Sequence, residues 1–326
     1  MEDCQTRIMK LFNCVLLSVL LCSVVFAQES TPGVWNKRVL ADATGKLPAG
    51  LPYRLWIPKD YDKTQKYPLV VYLHGAGERG TDNEKHIAKN GAPKLANELQ
   101  AKQQCFVLAP QVPDGKRWVE VDWGQKEPHK MPVEPSEPMR LLLQLLDELP
   151  KEFSLDDKRF YLTGLSMGGF GTWDLLVRRP QMFAAAIPIC GGADNDTAPQ
   201  IKHIPIWTFH GDADGTVFVG RTRSMVEAMK AAGADIKYTE YPGVGHNAWD
   251  KAYAEPGLFD LEIVRGYLQF LMERNQPRLI AVERKTQQGG EPLYHALGAC
   301  RIFANERRNR VERVEQKVRL DARFER

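Results

Sequence analysis

One segment of this sequence has the spacing of a reactive serine. The run Gly-Leu-Ser-Met-Gly at residues 164–168 places Ser166 between two glycines, after the apolar stretch 159–163 and before the helix-like stretch 168–178. A G-x-S-x-G run between a strand and a helix forms a sharp turn that lifts the serine hydroxyl above the sheet. Glycine on both sides leaves room for close backbone approach. Ser166 is therefore predicted to be a nucleophile.

A serine hydroxyl also needs a base to take its proton and a carboxylate to orient that base. His246 lies in a glycine-rich loop after one apolar stretch, and Asp212 and Asp214 follow another, residues 206–209. The carboxyl ends of parallel strands meet at one edge of a sheet, so we expect these side chains to approach Ser166. The spacing alone does not decide which aspartate orients the histidine.

A third motif could stabilise negative charge on an oxygen atom. The run His-Gly-Ala-Gly at residues 74–77 follows the apolar stretch 69–73. Backbone amides in such a loop bind the oxygen that becomes anionic during acyl transfer. The amides of Ala76 and Met167 are predicted to form this oxyanion hole, whereas His74 is predicted to fix the loop by hydrogen bonding.

The elements that must position these residues follow a repeating pattern. From about residue 50 to 275, short apolar stretches alternate with helical patterns, which predicts a doubly wound, mostly parallel α/β sheet. The predicted strands are residues 53–57, 69–73, 106–109, 159–163, 184–189, 206–209 and 236–240. The predicted helices are residues 94–102, 138–149, 168–178, 220–232 and 259–272.

One long segment interrupts the pattern. Residues 111–138 contain five prolines and show no period. Long irregular segments in compact domains are usually functional or disordered, and tryptophans favour an ordered rim beside a pocket. Trp118, Trp123 and Trp249 are therefore predicted to bind substrate by stacking on a sugar or aromatic group. Ordinary packing is an equally open reading of each tryptophan.

The N-terminus resembles a signal peptide. An apolar run ends at Val-Phe-Ala, which suits cleavage after Ala27, and it is too short to span a bilayer comfortably. We predict a signal peptide at residues 1–27, translated from Met1 or Met9, and a secreted or periplasmic protein. Residues 28–49 are predicted to be a lead-in to the catalytic domain of residues 50–275.

Charge and cysteine content exclude some classes of protein. The formal charge is +3, but residues 301–326 carry nine basic and five acidic residues, which leaves the rest near −1. No nucleic-acid surface is predicted, and residues 276–326 are predicted to be a basic extension, peripheral or partly disordered. Outside the predicted signal peptide the chain has an odd number of cysteines, Cys105, Cys190 and Cys300, and their spacing is not that of metal ligands. We expect no metal and no cofactor.

Taken together, the runs LHGAGERG, GLSMGG, HGDADGTV and GVGH resemble the esterase branch of the α/β-hydrolases over roughly residues 50–275. That branch includes phospholipase/carboxylesterase-like, polyhydroxybutyrate depolymerase-like and prolyl-oligopeptidase-like hydrolases. The resemblance implies an α/β-hydrolase fold and a triad of Ser166, Asp214 and His246, with the second aspartate of the HGDAD run as the acid. Phe218 departs from the proline that many relatives have there, which bears on the shape of the loop.

The resemblance implies a secreted serine esterase whose partner is a small-molecule or polysaccharide-linked ester, without nucleic acid or a stable membrane span. Two alternatives remain open at this stage. The same triad could cleave small peptides, or the chain could be a non-catalytic relative that binds carbohydrate at a tryptophan-rich rim. The variant Ser166→Ala separates these readings, because only an enzyme loses turnover.

Overall fold

The fold is a single mixed sheet flanked by helices, seen in a computed structural model that describes residues 30–102 and 104–258. Eight strands lie in these ranges: β1 Trp35–Leu40, β2 Leu51–Trp56, β3 Tyr67–Leu73, β4 Phe106–Pro110, β5 Leu155–Leu165, β6 Ala185–Ile189, β7 Ile206–Gly211 and β8 Ile236–Tyr241. The helices of the same ranges are α1 Lys85–Ala88, α2 Gly91–Lys102, α3 Glu137–Glu152, α4 Met167–Arg178, α5 Ala198–Ile201, α6 Gly220–Ala231 and α7 Trp249–Ala252.

The strand order is β1-β2-β4-β3-β5-β6-β7-β8. Strands β1, β2 and β4 pair antiparallel, whereas every pairing from β4 through β3 and β5 to β8 is parallel. The carboxyl ends of β3, β5, β7 and β8 therefore reach the same edge. This is the edge from which the three predicted motifs continue, and the doubly wound, mostly parallel α/β fold is confirmed.

Side chains of the central strand β3 alternate between two apolar cores, since neighbouring residues of a strand point to opposite faces. Leu69, Val71 and Leu73 belong to a core shared with α3, α4 and α6. Val70 and Tyr72 belong to a second core shared with α2 and α7. All residues of β3 are buried. Burial on both faces explains why this strand reads as a continuous apolar run.

The predicted strands and helices within the described ranges are all present, with ends that differ by a few residues. The prediction for residues 28–49 was incomplete, because this lead-in contains strand β1. In β1, Arg38 is buried and Val39 is about half exposed, so the strand does not show the usual alternation of apolar and polar residues. The short helices α1, α5 and α7 were not predicted either.

The irregular segment after β4 runs from residue 111 to 136 and ends where α3 begins. There the Ser136 hydroxyl oxygen accepts the amide hydrogen of Met139 at 3.2 Å, and a proline occupies the first turn of α3. Both features are typical of a helix start. The irregular segment therefore ends at a defined helix start.

Several predictions concern residues outside the described ranges. These are the signal peptide of residues 1–27, the helix of residues 259–272, the extension of residues 276–326 and Cys300. Within residues 30–102 and 104–258, no helix has the length and apolar character to cross a membrane.

Candidate active site

The nucleophile candidate Ser166 lies at the turn between β5 and α4. Its backbone has φ 54° and ψ −120°, which is a strained conformation for a residue with a side chain. Its amide donates to the carbonyl of Ile189 at 2.9 Å. A Cβ built at Gly164 would lie 2.4 Å from the carbonyl oxygen of Gly168, and one built at Gly168 would lie 1.9 Å from that of Leu73. Only glycine fits at both positions.

A hydrogen-bonded chain of three side chains extends from this serine. Ser166 Oγ lies 2.8 Å from His246 Nε2, and His246 Nδ1 lies 2.7 Å from Asp214 Oδ2. The Asp214 side chain has no exposed surface, whereas that of His246 is 22% exposed. The three residues come from the loops after β5, β7 and β8. The structure thus brings the predicted triad together at one sheet edge.

The aspartate that contacts the histidine is Asp214. Its Oδ1 accepts the amide hydrogens of Thr216 and Val217 at 2.8 and 2.9 Å. Burial raises the pKa of Asp214, but hydrogen bonds from His210, His246 and these amides outweigh burial and hold the pKa well below its usual value. The carboxylate is therefore ionised at neutral pH. Asp212 is exposed and accepts the amide hydrogen of Gly243 instead, at 2.6 Å.

The two predicted oxyanion donors lie at helical starts beside the serine. A Cβ built at Gly75 would be 3.6 Å from Ser166 Cβ, so the loop after β3 adjoins the nucleophile. Ala76 begins a short 3-10 turn and Met167 begins α4. The first amides of a helical turn have no intrahelical carbonyl to bind. Donation by the amides of Ala76 and Met167 to an oxygen beside Ser166 stays a prediction.

Buried polar side chains hold this loop. His74 Nδ1 donates to the carbonyl of Gly75 at 2.7 Å, and His74 Nε2 accepts the amide hydrogen of Val112 at 2.9 Å. Burial lowers the pKa of His74 to about 3, so this histidine is neutral. Glu78 Oε2 accepts the amide hydrogen of Gly75 at 2.8 Å. Burial raises the pKa of Glu78, although hydrogen bonds partly oppose this. The predicted loop-fixing role of His74 agrees with these contacts.

The three predicted substrate-binding tryptophans have different surroundings. Trp118 has no exposed surface, donates its indole hydrogen to the carbonyl of His74 at 3.2 Å and packs in the core. It cannot contact substrate in this conformation, so that expectation was wrong. Trp123 is half-buried. Trp249 is also half-buried and meets the ring of His246 edge-on, with centroids 5.2 Å apart. Substrate contact by Trp123 and Trp249 stays a prediction.

Three arginines contact residues 116–129, which form the middle of the irregular segment. Of the ten arginines in the described ranges, seven have a carboxylate within ion-pair distance in that part of the chain. The other three are Arg79, Arg117 and Arg221. Arg79 and Arg117 lie over Trp123, 6.0 and 4.3 Å from its ring centroid, and Arg221 donates to two carbonyls of the segment at 3.0 and 3.3 Å. Arg79 and Arg221 thus attach this segment to residues outside it, whereas Arg117 makes contacts within the segment.

His210, at the end of β7, is a contact of the triad that sequence reasoning missed. A histidine at the end of a strand is typical of a structural residue. In the structure its Nε2 lies 3.1 Å from Asp214 Oδ2, the oxygen that also binds His246. No local motif indicates this contact, because it depends on how the loop after β7 folds back over the strand.

One group of potential metal ligands exists in the described ranges. The ligand atoms of Cys190, His210 and Asp214 lie within 4.8 Å of one another. Burial raises the pKa of the Cys190 thiol well above its usual value, and the charge of Asp214 adds to this effect. Metal binding needs the thiolate, which is disfavoured here, and the carboxylate already accepts hydrogen bonds at both oxygens. The group fits a hydrogen-bonded cluster better than a metal centre.

Comparisons with known proteins identify one family and several hydrolases to which this chain is similar. Residues 123–255 match the dienelactone hydrolase family. A crystal structure of a thermostable esterase is 38% identical with a TM-score of 0.64, covering 71% of this chain and 62% of that one. A ferulic acid esterase structure, 18% identical with a TM-score of 0.53 over 72% of this chain and 98% of that one, shows likeness of fold alone.

Two relatives by sequence bear names of different activities. Dipeptidyl-peptidase 5 of Porphyromonas gingivalis is 31% identical over 58% of this chain, and the match spans only 32% of that protein. A probable carboxylesterase of Oryza sativa subsp. japonica is 23% identical over 61% of this chain and 79% of that protein. The chain therefore has the α/β-hydrolase fold, and it resembles the dienelactone hydrolase family over residues 123–255.

Proposed function

We propose that this chain is a serine hydrolase that cleaves carboxylic ester bonds through an acyl-enzyme. The single observation that carries the proposal is the chain of hydrogen bonds from Ser166 through His246 to Asp214, at 2.8 and 2.7 Å, on a serine held at φ 54°. Nucleophilic acyl transfer requires three groups in this order: a buried ionised carboxylate, an imidazole and a hydroxyl that substrate can reach.

In the first half of the mechanism, His246 Nε2 takes the hydroxyl proton while Ser166 Oγ forms a bond to the ester carbonyl carbon. The carbonyl electron pair moves to the oxygen, to which the amides of Ala76 and Met167 donate. Asp214 stabilises the imidazolium that results. His246 then gives the proton to the leaving oxygen, the bond between the acyl carbon and that oxygen breaks, and the alcohol departs.

In the second half, water takes the place of the alcohol. His246 Nε2 removes a proton from water while the water oxygen attacks the acyl carbon attached to Ser166. The same two amides stabilise the second oxyanion. When it collapses, the bond to Ser166 Oγ breaks, His246 returns the proton to Oγ, and a carboxylic acid leaves. The free serine is thereby restored.

The proposed substrates are small or polysaccharide-linked esters. The thermostable esterase and the rice probable carboxylesterase support ester chemistry through their names. We propose that two half-buried tryptophans contact the acyl or alcohol part of the substrate. Trp249 lies beside His246, and Trp123 lies in the segment of residues 116–129. Flat apolar surfaces of this kind stack on sugars and aromatic acids.

The first test is hydrolysis of 4-nitrophenyl acetate and butyrate by the purified full chain. We expect turnover that Ser166→Ala lowers on the order of 10⁴-fold or more, because the nucleophile acts as one unit with its base. Ser154→Ala is the matched control, since Ser154 lies at the opposite end of β5 and should leave turnover unchanged. No turnover from folded wild-type protein, or equal turnover by Ser166→Ala, contradicts the proposal.

The second candidate is peptide hydrolysis, favoured by the match to dipeptidyl-peptidase 5. Dipeptidyl 4-nitroanilides, assayed beside the esters, distinguish the two activities. We expect kcat/KM for the esters to exceed that for the anilides, and the reverse order would make the chain a peptidase. If neither substrate turns over, affinity for oligosaccharides that survives Ser166→Ala would favour the non-catalytic reading.

Secretion is proposed from residues 1–27 alone. N-terminal sequencing of the protein recovered from culture medium or periplasm is expected to begin at Gln28, because cleavage should follow Ala27. A full-length N-terminus on protein retained in the cytoplasm would overturn this proposal. It would leave the hydrolase proposal untouched.

A further inference from the structure

The histidine at the end of β7 has no exposed surface, and its ring nitrogens have three hydrogen-bonding partners. His210 Nε2 lies 3.0 Å from the carbonyl oxygen of Val217 and 3.1 Å from Asp214 Oδ2. Both of these oxygens can only accept a hydrogen bond, since the carboxylate is ionised. Nε2 therefore carries a hydrogen and donates it towards both oxygens. This assignment holds whether His210 is neutral or charged.

The opposite side of the ring is also held. His210 Nδ1 lies 2.7 Å from the hydroxyl oxygen of Thr222, on α6, and that hydroxyl lies 2.8 Å from the carbonyl oxygen of Gly191. The ring is thus fixed between the loop after β6 and the start of α6. A donor fixed on both sides can determine the position of the group that accepts from it.

The carboxylate of Asp214 has four donors that leave it little freedom. Oδ1 accepts two backbone amides, and Oδ2 accepts from both His246 Nδ1 and His210 Nε2. If the His210 donor is lost, Oδ2 loses one of its two imidazole donors. Because that histidine must stay aligned with Ser166 Oγ, any rotation of the carboxylate displaces the proton acceptor from the reacting oxygen.

We propose that His210 is a positioning residue of the triad, whose Nε2–H fixes Asp214 Oδ2 so that the carboxylate orients His246. This inference rests on the proposed hydrolase function. The contrasting view is that His210 only ties β7 to α6 through Thr222 and stabilises the fold. The two views predict different behaviour for substitutions that remove one ring nitrogen at a time.

Two amide variants separate the contacts. In His210→Gln the side-chain nitrogen reaches the place of Nε2 and can donate to Asp214. In His210→Asn the nitrogen reaches only the place of Nδ1, so the contact with Thr222 is kept and the contact with Asp214 is lost. Neither variant titrates, so a difference between them reports the position of the donor and not the charge of the ring.

The kinetic readout is kcat and KM for 4-nitrophenyl butyrate. We expect His210→Asn to lower kcat about 10- to 100-fold with KM within about twofold, since a displacement of about 1 Å in a catalytic group costs on that order. His210→Gln should recover most of kcat. Equal kcat in the two variants, with both destabilised alike in thermal unfolding, overturns the positioning role.

A milder variant covers the case in which His210→Asn does not fold. Thr222→Val removes the hydroxyl that holds Nδ1 but keeps His210 and the shape of the side chain. We expect it to lower kcat in the same direction by a smaller factor, about two- to fivefold, because a buried donor remains but is less fixed. Unchanged kcat in Thr222→Val, with a folded protein, counts against the proposal.

A spectroscopic readout does not depend on turnover. Proton NMR of the wild-type chain should show downfield imidazole N–H resonances from His246 and His210, both hydrogen-bonded to Asp214. We expect His210→Asn to remove one resonance and shift the other, and His210→Gln to remove the first while leaving the His246 resonance in place. A His246 resonance that is unchanged in both variants overturns the inference, even if the ester assays succeed.

Discussion

At the scale of single residues, the turn that carries Ser166 requires glycines, which have no side chain. The position of Gly168 is the tightest, because any Cβ there would lie 1.9 Å from the carbonyl oxygen of Leu73 and 2.8 Å from that of His74. Backbone atoms cannot yield as a flexible side chain can. The same close approach brings the loop after β3 against the serine. Both the packing of the turn and the proposed catalysis therefore require glycine at position 168.

We therefore expect Gly168→Ala to destabilise the protein by several kcal/mol, on the scale of overpacked core substitutions, and to abolish esterase turnover. The matched control is Gly215→Ala, since a Cβ at Gly215 meets no atom within 4 Å. Thermal unfolding of the two variants beside the wild type checks this. A Gly168→Ala protein with the melting temperature of Gly215→Ala would show that the turn relaxes more easily than the distances imply.

The residues of the triad could be predicted because their motifs are local. The serine lies in a G-x-S-x-G run, and the histidine lies in a glycine-rich loop after a strand. The choice of Asp214 over Asp212 needed either a family resemblance or the structure, since both follow the same strand. The contact of His210 could not be predicted, because a buried histidine at a strand end has the same sequence pattern with or without it.

At the scale of elements, the segment at residues 116–129 is held to the body by arginines. Arg221 is buried, and its guanidinium donates to carbonyls of Asp122 and Gln125 and contacts the ring of Phe170 on the nucleophile helix. A buried guanidinium whose hydrogen bonds end on one segment fixes that segment strongly, because its removal leaves the carbonyls unpaired. Arg221 thus holds this segment in place beside α4.

Arg221→Met is expected to raise amide hydrogen exchange in residues 121–130 by about tenfold or more, since two carbonyls of this segment lose charge-assisted hydrogen bonds. Arg223→Gln is the matched control: Arg223 lies on the same helix but is exposed and pairs with Glu240. Hydrogen exchange followed by mass spectrometry measures both. Equal protection of the segment in the two variants would mean that Trp118 and its neighbours hold it without Arg221.

The elements show where sequence patterns succeed and fail. Strands with two buried faces, such as β3, are continuous apolar runs and were predicted. The edge strand β1 was missed because its Arg38 is buried through a pairing with Glu152, 114 residues further along the chain. Trp118 was assigned to the rim because it lies in a loop, yet it packs near Gly171 on α4. Long-range partners decide both cases.

At the scale of the whole molecule, buried histidines couple stability to pH. Burial lowers the pKa of His74 to about 3 and that of His86 to about 4. In the unfolded chain, histidine titrates near its ordinary value of about 6.5. Between these values the unfolded state binds more protons than the folded state, so the free energy of unfolding falls as pH falls. Glu78, whose pKa is raised, acts with the opposite sign.

The contribution of His86 can be isolated by substitution. His86 Nε2 donates to the carbonyl of Ala109 at 2.9 Å, a contact that the amide of His86→Gln can keep without titrating. We expect the free energy of unfolding to fall less between pH 7.5 and 5.5 in this variant than in the wild type, by about 1 kcal/mol. The matched control is His203→Gln, since the exposed His203 also donates from Nε2 to a carbonyl, that of Pro180 at 2.8 Å. Urea unfolding at the two pH values measures the difference, and a loss in His86→Gln equal to that of the wild type would show that His86 protonates in the folded protein.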